Sequence, residues 1–561
     1  MVYFPSLEGV RGWGCVMVML YHFGVPVLQS AWLMMSMFFV VSGFVITLST
    51  LGVLEKHGEL SVVGFWSRRV SRLLPALLIF ILVAALQPHV VGWLSGTPLP
   101  DAASMQALRE DLLCGLFYSE NWVLLRHAVD YWASFRTASP VRHLWSLSVE
   151  EQYYFVWPLL VYLWTSLLSS PHQHAADPEN PSSSSSTLSH RGAFKNLLFG
   201  EVILIFASIA YTTHTYQHLG ATSAYFSTIS KLKDFAIGGA AALICRLVPF
   251  LSRILGLDPT LNHDSSSSSI ERISPIALVI CEFCCTCCVV LVFVFVPILP
   301  FSQEELFPHF FLWLQPVLSV VSALTLVLLA LCDSLFRRSR PYWALGSAFV
   351  SSKPLVFLGG ISYSLYIWHW PLIVWLGSPH QEASTQNPDA ASLVHPDAMS
   401  PLRLLALCAA SLLLAVFSHY CIEMPLQARA GSRSPRALLL SGLAASLCLA
   451  LLILPLTVPP GQSFLQTPLL LSQQQDSASN DPAVDLTSIY ELLNEQTISN
   501  AEALAELRAD MQQQIDALLA FQSLSEKQVR SLGDPTSPIH SPSHPPTDHD
   551  NPLIDHNPKL H

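Results

Sequence analysis

The chain has 561 residues, of which 52% are hydrophobic and only 12% are charged. This composition excludes an ordinary soluble domain and indicates a polytopic membrane protein embedded in a lipid bilayer. The 28 lysines and arginines are spread through short connections, which argues against a nucleic-acid partner. The net charge of -11 includes an acidic tail and therefore says little about the membrane-embedded part.

Apolar runs of spanning length predict an all-α fold, a bundle of ten membrane helices with one extra C-terminal membrane helix. The predicted spans lie at 10–29, 31–54, 73–92, 144–168, 197–215, 235–249, 274–299, 310–332, 355–376, 402–420 and 437–458. The first lacks a basic leading region and a small-residue cleavage site, so we interpret it as a retained span and not a signal peptide. The bundle is assigned to residues 1–430 and the extra helix to 436–459.

The lysines and arginines of the connections predict the orientation of the chain. With a cytoplasmic N-terminus most of them fall inside, and the outside ones lie in one long connection, at Arg109, Arg126, Arg136 and Arg142. We therefore predict a cytoplasmic N-terminus. Eleven spans would then place the C-terminal tail on the extracytoplasmic or lumenal side, and the particular membrane stays open.

Three connections and the tail differ from the membrane helices in composition. The connections are rich in Ser, His, Asp and Pro and are predicted to be disordered near 171–192, 258–272 and 378–400. The polar tail covers 461–561, and its end is also predicted to be disordered. An approximate a/d spacing predicts an amphipathic helix or coiled coil within 481–532, suited to self-association or a protein partner.

The first span carries an arginine and a histidine. Arg11 and His22 return to nearly the same helical face, about three turns or ~16 Å apart. Ionisable side chains at membrane depth are costly and by default face a protein interior or a wet cavity. The pair therefore suggests a site for a long anionic ligand. The alternative is an arginine that snorkels to headgroups and a histidine satisfied by a neighbouring helix.

A second basic feature follows span two. Arg69 and Arg72 are i, i+3 neighbours if this segment is helical, and guanidinium groups suit bidentate binding of phosphate. The alternative is simple anchoring to anionic lipid on the inner side of the membrane.

Span four opens with two consecutive carboxylates among Ser and aromatic residues. Ser146 and Glu150 share one helical face, whereas Glu151 lies on another, so only one carboxylate can easily point into a given cavity. The alternative is a solvated helix N-terminus, where Glu interacts favourably with the helix dipole.

Span nine carries a polar stripe on an otherwise apolar helix. Ser362, Tyr366 and His369 lie at i, i+4 and i+7 and therefore share a face. A second intramembrane histidine favours a shared wet cavity over two unrelated core histidines.

Span seven is rich in cysteine, with C-x-x-C spacing over Cys281, Cys284, Cys285, Cys287 and Cys288. No cluster of His or carboxylate residues completes a metal site in the sequence, and the helix is otherwise apolar. These cysteines are therefore interpreted as small hydrophobic residues, and no metal is predicted.

In chain order these blocks resemble the membrane acyltransferase family 3, which includes peptidoglycan and lipopolysaccharide O-acetyltransferases and macrolide acylases. The resemblance covers about 3–429. It is carried by the opening from Glu8 to His22 with its R-x(10)-H spacing, by the pair Arg69 and Arg72, and by the blocks 38–47, 143–158, 362–371 and 420–425.

The sequence also departs from the family pattern. Lys231 and Asp234 stand where an Arg and a Glu are expected, and this pair should still form an ion pair. The Ser-rich loops and the tail have no counterpart in the usual domain, and the tail shows no hydrolase-like catalytic set.

The resemblance implies an O-acyltransferase that moves an acyl group, typically acetyl, from cytoplasmic acyl-CoA to a hydroxyl of a carbohydrate, a lipid or another small acceptor. No bound cofactor is implied, since acyl-CoA, typically acetyl-CoA, is the donor substrate. Two rival functions are left open: a membrane transporter of small anions, and a catalytically idle scaffold.

The resemblance also implies roles for the candidate residues. The CoA phosphates would be held by Arg11, Arg69 and Arg72. His22 would be the general base, and Glu150, or else Glu151, would orient or charge-balance its imidazole. The remaining candidates, assigned to catalysis, to the acceptor side or to the oxyanion, are His369, Ser362, Tyr363, Tyr366, Trp145 and Ser146.

Overall fold

The computed structural model describes residues 3–57, 60–126, 139–167, 184–257, 274–299, 308–336, 340–376, 400–430 and 433–456, with side chains left out at 164–167 and 184–191. The tail at 461–561, with its predicted coiled coil, lies outside the described residues, as do almost all of the predicted disordered connections. The exception is the end of the first connection, which is helical from Ser184 onward.

Helices make up all regular structure among the described residues, which confirms the all-α fold. In the first half they are α1 (Pro5–His22), α2 (Met34–His57), α3 (Val62–Ser95), α4 (Ala102–Leu116), α5 (Glu120–Arg126), α6 (Trp145–Leu167), α7 (Ser184–Phe226), α8 (Thr228–Leu247) and α9 (Pro249–Ile254). In the second half they are α10 (Pro275–Val290), α11 (Gln315–Leu335), α12 (Leu345–Val350), α13 (Lys353–Gly360), α14 (Ser362–Trp375), α15 (Pro401–Phe417), α16 (Met424–Ala430) and α17 (Pro435–Leu456).

Among the described residues, seven helical segments are long and apolar enough to cross a membrane: Ala31–His57, Val62–Ser95, Gly192–Phe226, Pro275–Ile298, Phe310–Leu335, Pro401–Arg429 and Pro435–Leu456. They confirm a polytopic membrane protein and correspond to seven of the predicted spans. The other four predicted spans coincide with α1, α6, α8 and the pair α13 and α14. These helices are more polar or, in the last case, are interrupted at Ile361. The total of eleven spans stays a prediction.

Helix α3 is longer than the predicted span, because it begins at Val62 instead of residue 73. Ser61 caps it by accepting a hydrogen bond from the Gly64 amide. Arg69 and Arg72 therefore lie on the first turns of a membrane helix and not in a loop. The extra helix α17 packs along α3, with the glycine at 442 facing Val70 and Leu74.

Helix α1 is surrounded by α2, α11, α12, α13 and α14, which makes it an interior element of the bundle. Glycines allow this close packing. A Cβ added at Gly12 would collide with the Leu355 carbonyl of α13, and one added at Gly359 would collide with the Glu8 carbonyl of α1. The faces of α1 that hold Arg11 and His22 are fixed in this way.

A second close contact joins α2 to α8. A Cβ at Gly43 would collide with the Phe235 carbonyl, and one at Gly238 would collide with the Val40 carbonyl. Helix α8 in turn packs along α7, so these three helices form one continuous layer beside α6. The layer holds α2 against the polar face of α6.

The expected ion pair on α8 is wrong. Asp234 accepts hydrogen bonds from Gln315 Nε2 (2.8 Å) and Ser319 Oγ (2.7 Å) of α11. Lys231 Nζ instead lies 4.3 Å from the centre of the Tyr225 ring. The two side chains do not come within ion-pair distance because each is directed at a different neighbouring helix.

Candidate active site

A polar cavity lies where α1, α2, α6 and α14 meet, with a volume of about 90 Å³. One water needs roughly 10–15 Å³ by the same measure, so the space fits several waters or a short acyl group. Its polar lining consists of Arg11, Ser42, Ser146, Glu150, Ser362, Tyr363 and Tyr366. Apolar side chains complete the wall at Cys15, Met35, Phe38, Phe39, Val41 and Leu147. Six residues predicted for the site thus converge from three distant parts of the chain.

The two predicted histidines contact each other next to this cavity. His22 Nδ1 lies 2.9 Å from His369 Nε2, and the rings stack with centroids 5.2 Å apart. The His369 ring also lies 5.5 Å from the Tyr366 ring, which lines the cavity. The histidine at the end of α1 is therefore joined to α14 through a direct hydrogen bond.

The backbone of α14 fixes the tautomer of this pair. His369 Nδ1 lies 2.7 Å from the Tyr366 carbonyl and 3.2 Å from the Leu365 carbonyl. A carbonyl oxygen only accepts, so Nδ1 of His369 carries the hydrogen and Nε2 of the neutral ring accepts. His22 Nδ1 must then donate to it. The lone pair of neutral His22 consequently lies on Nε2, as a general base requires.

Glu150 is held in the cavity by hydroxyl groups. Its Oε1 accepts hydrogen bonds from Ser42 Oγ and from Tyr154 OH, the latter at 2.5 Å. The expectation that Glu150 orients the His22 imidazole is not matched by these hydrogen bonds, because His369 is the partner at His22 Nδ1. The physical reason is packing: the second turn of α6 faces α2, which presents Ser42. A role of Glu150 in charge balance stays a prediction.

Glu151 faces away from the cavity and pairs with Arg69. Arg69 Nη2 donates to Glu151 Oε1 at 3.2 Å, and its guanidinium lies 3.3 Å from the centre of the Tyr154 ring. Tyr154 also donates a hydrogen bond to Glu150. Arg69 and Tyr154 together therefore link the two carboxylates. Arg69 is thus part of the support of the site and is only 22% exposed.

Arg11 and Arg72 are more accessible than Arg69. Arg11 lines the cavity and forms an ion pair with Glu8 at 3.2 Å, with the two side chains 26% and 30% exposed. Arg72 is exposed and lies within electrostatic range of both Arg11 and Arg69. The three predicted guanidinium groups therefore form one cationic cluster that includes the cavity wall.

The acceptor-side candidates divide into cavity and support residues. Tyr366 OH donates to the His143 carbonyl at 2.5 Å, so Ser146 Oγ, also at 2.5 Å, must donate to Tyr366. Tyr363 OH donates to the Leu73 carbonyl of α3 at 2.8 Å. Trp145 packs on the Tyr225 and Phe226 rings and does not line the cavity. Its predicted role on the acceptor side stays a prediction that the cavity lining does not support.

Sequence reasoning missed three residues of the site. Ser42 and Tyr154 hold Glu150, and the His143 ring lies 5.6 Å from the His369 ring in an edge-on contact. All three lay within the motif blocks, where Ser42 is a polar residue inside an apolar run. That signal was available, but the partner of each side chain depends on contacts between helices.

A donor-rich group lies on other helices, with one ligand atom each from Glu282, Cys285 and Cys332. It belongs to α10 and α11 and shares no residue with the cavity lining. It is the group among the described residues that could hold a metal ion.

Comparisons with known proteins give the family of the chain. The family described as "Acyltransferase domain" matches residues 4–420. Similar proteins include YrhL of Bacillus subtilis (strain 168), named for peptidoglycan O-acetylation, which is 28% identical over 77% of this chain and 56% of its own length. The O-acetyltransferase OatA of Staphylococcus aureus (strain NCTC 8325 / PS 47) is 27% identical over 67% of this chain and 51% of its own length. The peptidoglycan O-acetyltransferase OatA of Listeria monocytogenes is 27% identical over 69% of this chain and 51% of its own length.

These relatives are longer proteins, and this chain spans about half of their length. No solved structure matches the chain significantly. The family match covers α1 to α15 and includes every predicted catalytic and donor-binding residue. The chain belongs to this membrane acyltransferase family.

Proposed function

We propose that the protein transfers a short acyl group, typically acetyl, from cytoplasmic acyl-CoA to a hydroxyl of an extracytoplasmic or membrane-bound carbohydrate. The observation that carries the proposal is the hydrogen bond from His22 to His369 beside a polar cavity. It leaves the basic nitrogen of His22 in one defined tautomer. The names of the relatives support acetyl as the acyl group and a peptidoglycan-like carbohydrate as the acceptor class.

In the proposed reaction, His22 Nε2 accepts the proton of the acceptor hydroxyl as its oxygen attacks the thioester carbon. The carbon–sulfur bond then breaks, and the imidazolium returns the proton to the CoA sulfur, which leaves an ester and free CoA. His369 Nε2 stabilises the imidazolium by accepting from Nδ1 throughout, a positioning role. General base catalysis of this kind contributes typically ~10²–10⁴-fold to the rate.

The carbonyl oxygen of the thioester becomes negative in this step and needs hydrogen-bond donors. Ser362 places a hydroxyl group on the cavity wall, whereas the hydroxyl hydrogen of Ser146 is already donated to Tyr366. Glu150 is the carboxylate of the same cavity, and it accepts a hydrogen bond from Tyr154, whose ring contacts the Arg69 guanidinium. The cavity therefore offers a hydroxyl donor and a fixed carboxylate in a space suited to a two-carbon acyl group, and the base His22 lies beside it.

The donor would approach through the cationic cluster of Arg11, Arg69 and Arg72. CoA carries phosphates at one end of a long arm, and the ~16 Å between Arg11 and His22 along α1 matches an extended ligand that joins the two. This arrangement requires the arginine end of α1 to face the cytoplasm, in agreement with the lysine and arginine distribution. The acceptor would then reach His22 from the other side.

The experiment is mass spectrometry of candidate acceptors from cells that express the wild type or His22→Ala. The proposal expects a mass increase of one acyl group on a carbohydrate fraction, present in the wild type and absent in the variant. His214→Ala, which changes a histidine of α7 outside the site, is the matched control and should retain the product. An acyl mark that persists in His22→Ala, or is absent from the wild type, contradicts the proposal. Anion transport without acylation would point to the rival function.

A further inference from the structure

Two cysteines and a glutamate, all fully buried, meet between α10 and α11. The ligand atoms of Glu282, Cys285 and Cys332 all lie within 4.8 Å of one another. A third sulfur adjoins them, since Cys281 Sγ lies 3.9 Å from Cys332 Sγ. The exposed fractions of Glu282, Cys285 and Cys332 are only 1%, 0% and 0%.

Glu282 is the residue that apolar packing does not explain. Its Oε1 accepts from the Ser347 amide at 2.9 Å and from Thr286 Oγ1 at 3.4 Å. Its Oε2 is buried and has no hydrogen-bond partner among the described residues. A buried carboxylate oxygen without a partner is strongly unfavourable unless a cation or a proton satisfies it. Sulfur atoms on the same side of this carboxylate favour a thiophilic cation.

We propose that Glu282, Cys285 and Cys332 form the core of a structural site for a thiophilic divalent ion, Zn²⁺ in the first instance, and that Cys281 turns in from beside Cys332 as the fourth ligand. Structural zinc sites are tetrahedral, with Zn–S bonds of about 2.3 Å, which places two sulfur ligands roughly 3.8 Å apart. The 3.9 Å between Cys281 and Cys332 agrees with that edge. Residues 281 and 285 lie at i and i+4 on one face of the helix, and residue 282 lies on the next face.

The charge and proton balance of the site is defined. Each thiol loses one proton to solvent as its sulfur binds the ion, and the glutamate binds as the carboxylate, without losing a proton. Three thiolates, one carboxylate and one divalent ion leave two net negative charges, as in a zinc site with four cysteines. The Ser347 amide, which donates to the bound carboxylate, offsets part of this charge.

The site would join three elements behind the start of α1. Cys332 connects it to α11, and Glu282 connects it to α12 through Ser347. The next residue of α11, Asp333, accepts from the Ser6 amide of α1 at 2.8 Å and pairs with Arg340. An ion here would therefore stabilise the support on which the catalytic helix begins, without contacting the substrate cavity.

The test is elemental analysis of the full chain, purified in detergent without chelators. We expect about one zinc per chain in the wild type and a loss of most of it in Cys285→Ser and in Cys332→Ser. Cys448→Ser, which changes an exposed cysteine of α17, is the matched control and should keep the metal.

Binding of Co²⁺ to the wild type is the second measurement, because it needs no variant and therefore does not depend on whether a variant folds. Titration of Co²⁺ into chelator-treated wild type should give a sulfur-to-cobalt charge-transfer band at about one equivalent, reversed by Zn²⁺. Wild type without zinc or such a band, together with freely reactive thiols, overturns the proposal. A disulfide between Cys281 and Cys332, found by mass spectrometry, also overturns it.

Discussion

The helices of the membrane domain fall into two groups that differ in the length of continuous apolar helix and in chemistry. The seven long apolar segments include α2, whose spanning window is 61% buried, and α17, whose window is only 17% buried. Of the other four predicted spans, α1, α6 and α8 are less apolar, and the pair α13 and α14 is interrupted at Ile361. The predicted catalytic residues lie on α1, α6 and α14. Ionisable groups in a bilayer must be shielded by protein, so the helices least suited to lipid occupy the interior. In this chain a span that is polar or interrupted therefore points to the site.

The largest effect is expected for a substitution of His22, on α1. His22→Gln keeps the approximate size and a hydrogen-bonding side chain but cannot accept a proton, so kcat should fall by about 10²–10⁴. The KM for acyl-CoA should stay close to the wild-type value, because the donor phosphates contact other residues. Steady-state kinetics on purified protein measures both parameters.

His214→Gln on α7 is the matched control from the apolar group and should leave kcat within about twofold. If His22→Gln folds, binds acyl-CoA and turns over at the wild-type rate, His22 is structural. The base would then have to be sought at His369.

A smaller effect is expected at the cationic cluster on α3. Arg72→Ala should raise the KM for acyl-CoA by about tenfold or more with little change in kcat, since a charge-assisted hydrogen bond contributes roughly 1.5–3 kcal/mol. Arg69→Ala should lower kcat as well, because Arg69 supports Tyr154 and through it Glu150.

The exposed neighbour Arg68 supplies the comparison, as Arg68→Ala removes the same charge from the same helix. If the KM for acyl-CoA is the same in the wild type and in all three arginine variants, the arginines of α3 only anchor the helix at the membrane surface. Equal effects of Arg68→Ala and Arg72→Ala would indicate a general surface potential.

The two groups of helices were not equally predictable from the sequence. Apolar length placed all seven spanning segments within a few residues at most ends, because burial in lipid depends on composition alone. Helical geometry also separated Glu150 from Glu151 correctly, since that depends only on the 100° turn per residue. The family motifs identified six of the residues that line the cavity.

Contacts between helices could not be predicted in this way. Glu150 was assigned to His22, whereas its hydrogen bonds come from Ser42 and Tyr154. Lys231 was paired with Asp234, although each faces a different helix. The azimuth and depth of one helix against the next are set by side-chain packing and by glycines such as Gly43, which hydropathy does not encode.

Substitutions of two glycines on α2 test how the two groups of helices pack together, and we expect an effect of intermediate size on stability. Gly43→Ala should lower the thermal unfolding temperature, with a cost of about 1–3 kcal/mol, because the added methyl collides with the Phe235 carbonyl. Gly52→Ala, on the same helix but in open space, should be neutral or slightly stabilising. Differential scanning fluorimetry in detergent compares the two. A loss of stability only in Gly52→Ala would show that α2 does not pack on α8 as described.

The smallest effect concerns Glu120, which lies on α5 outside the predicted spans and is fully buried. Burial raises the pKa of this carboxyl well above its ordinary value, and the nearby Asp111 carboxylate adds to the shift, whereas Arg142 opposes it. A carboxyl with a raised pKa in the folded state stabilises the fold while protonated. That contribution is present at low pH and is lost as the pH rises from the unfolded pKa of about 4.3 towards the folded pKa.

Glu120→Gln keeps the shape but removes the titration, so it should raise the unfolding temperature modestly at pH 7 and leave it nearly unchanged at pH 4. Glu110→Gln on α4, a carboxyl with 39% exposure, is the control and should not reproduce this difference. If Glu120→Gln instead lowers the unfolding temperature at pH 7 more than at pH 4, the carboxylate is ionised and stabilising in the folded protein. The pair with Arg142 would then outweigh burial.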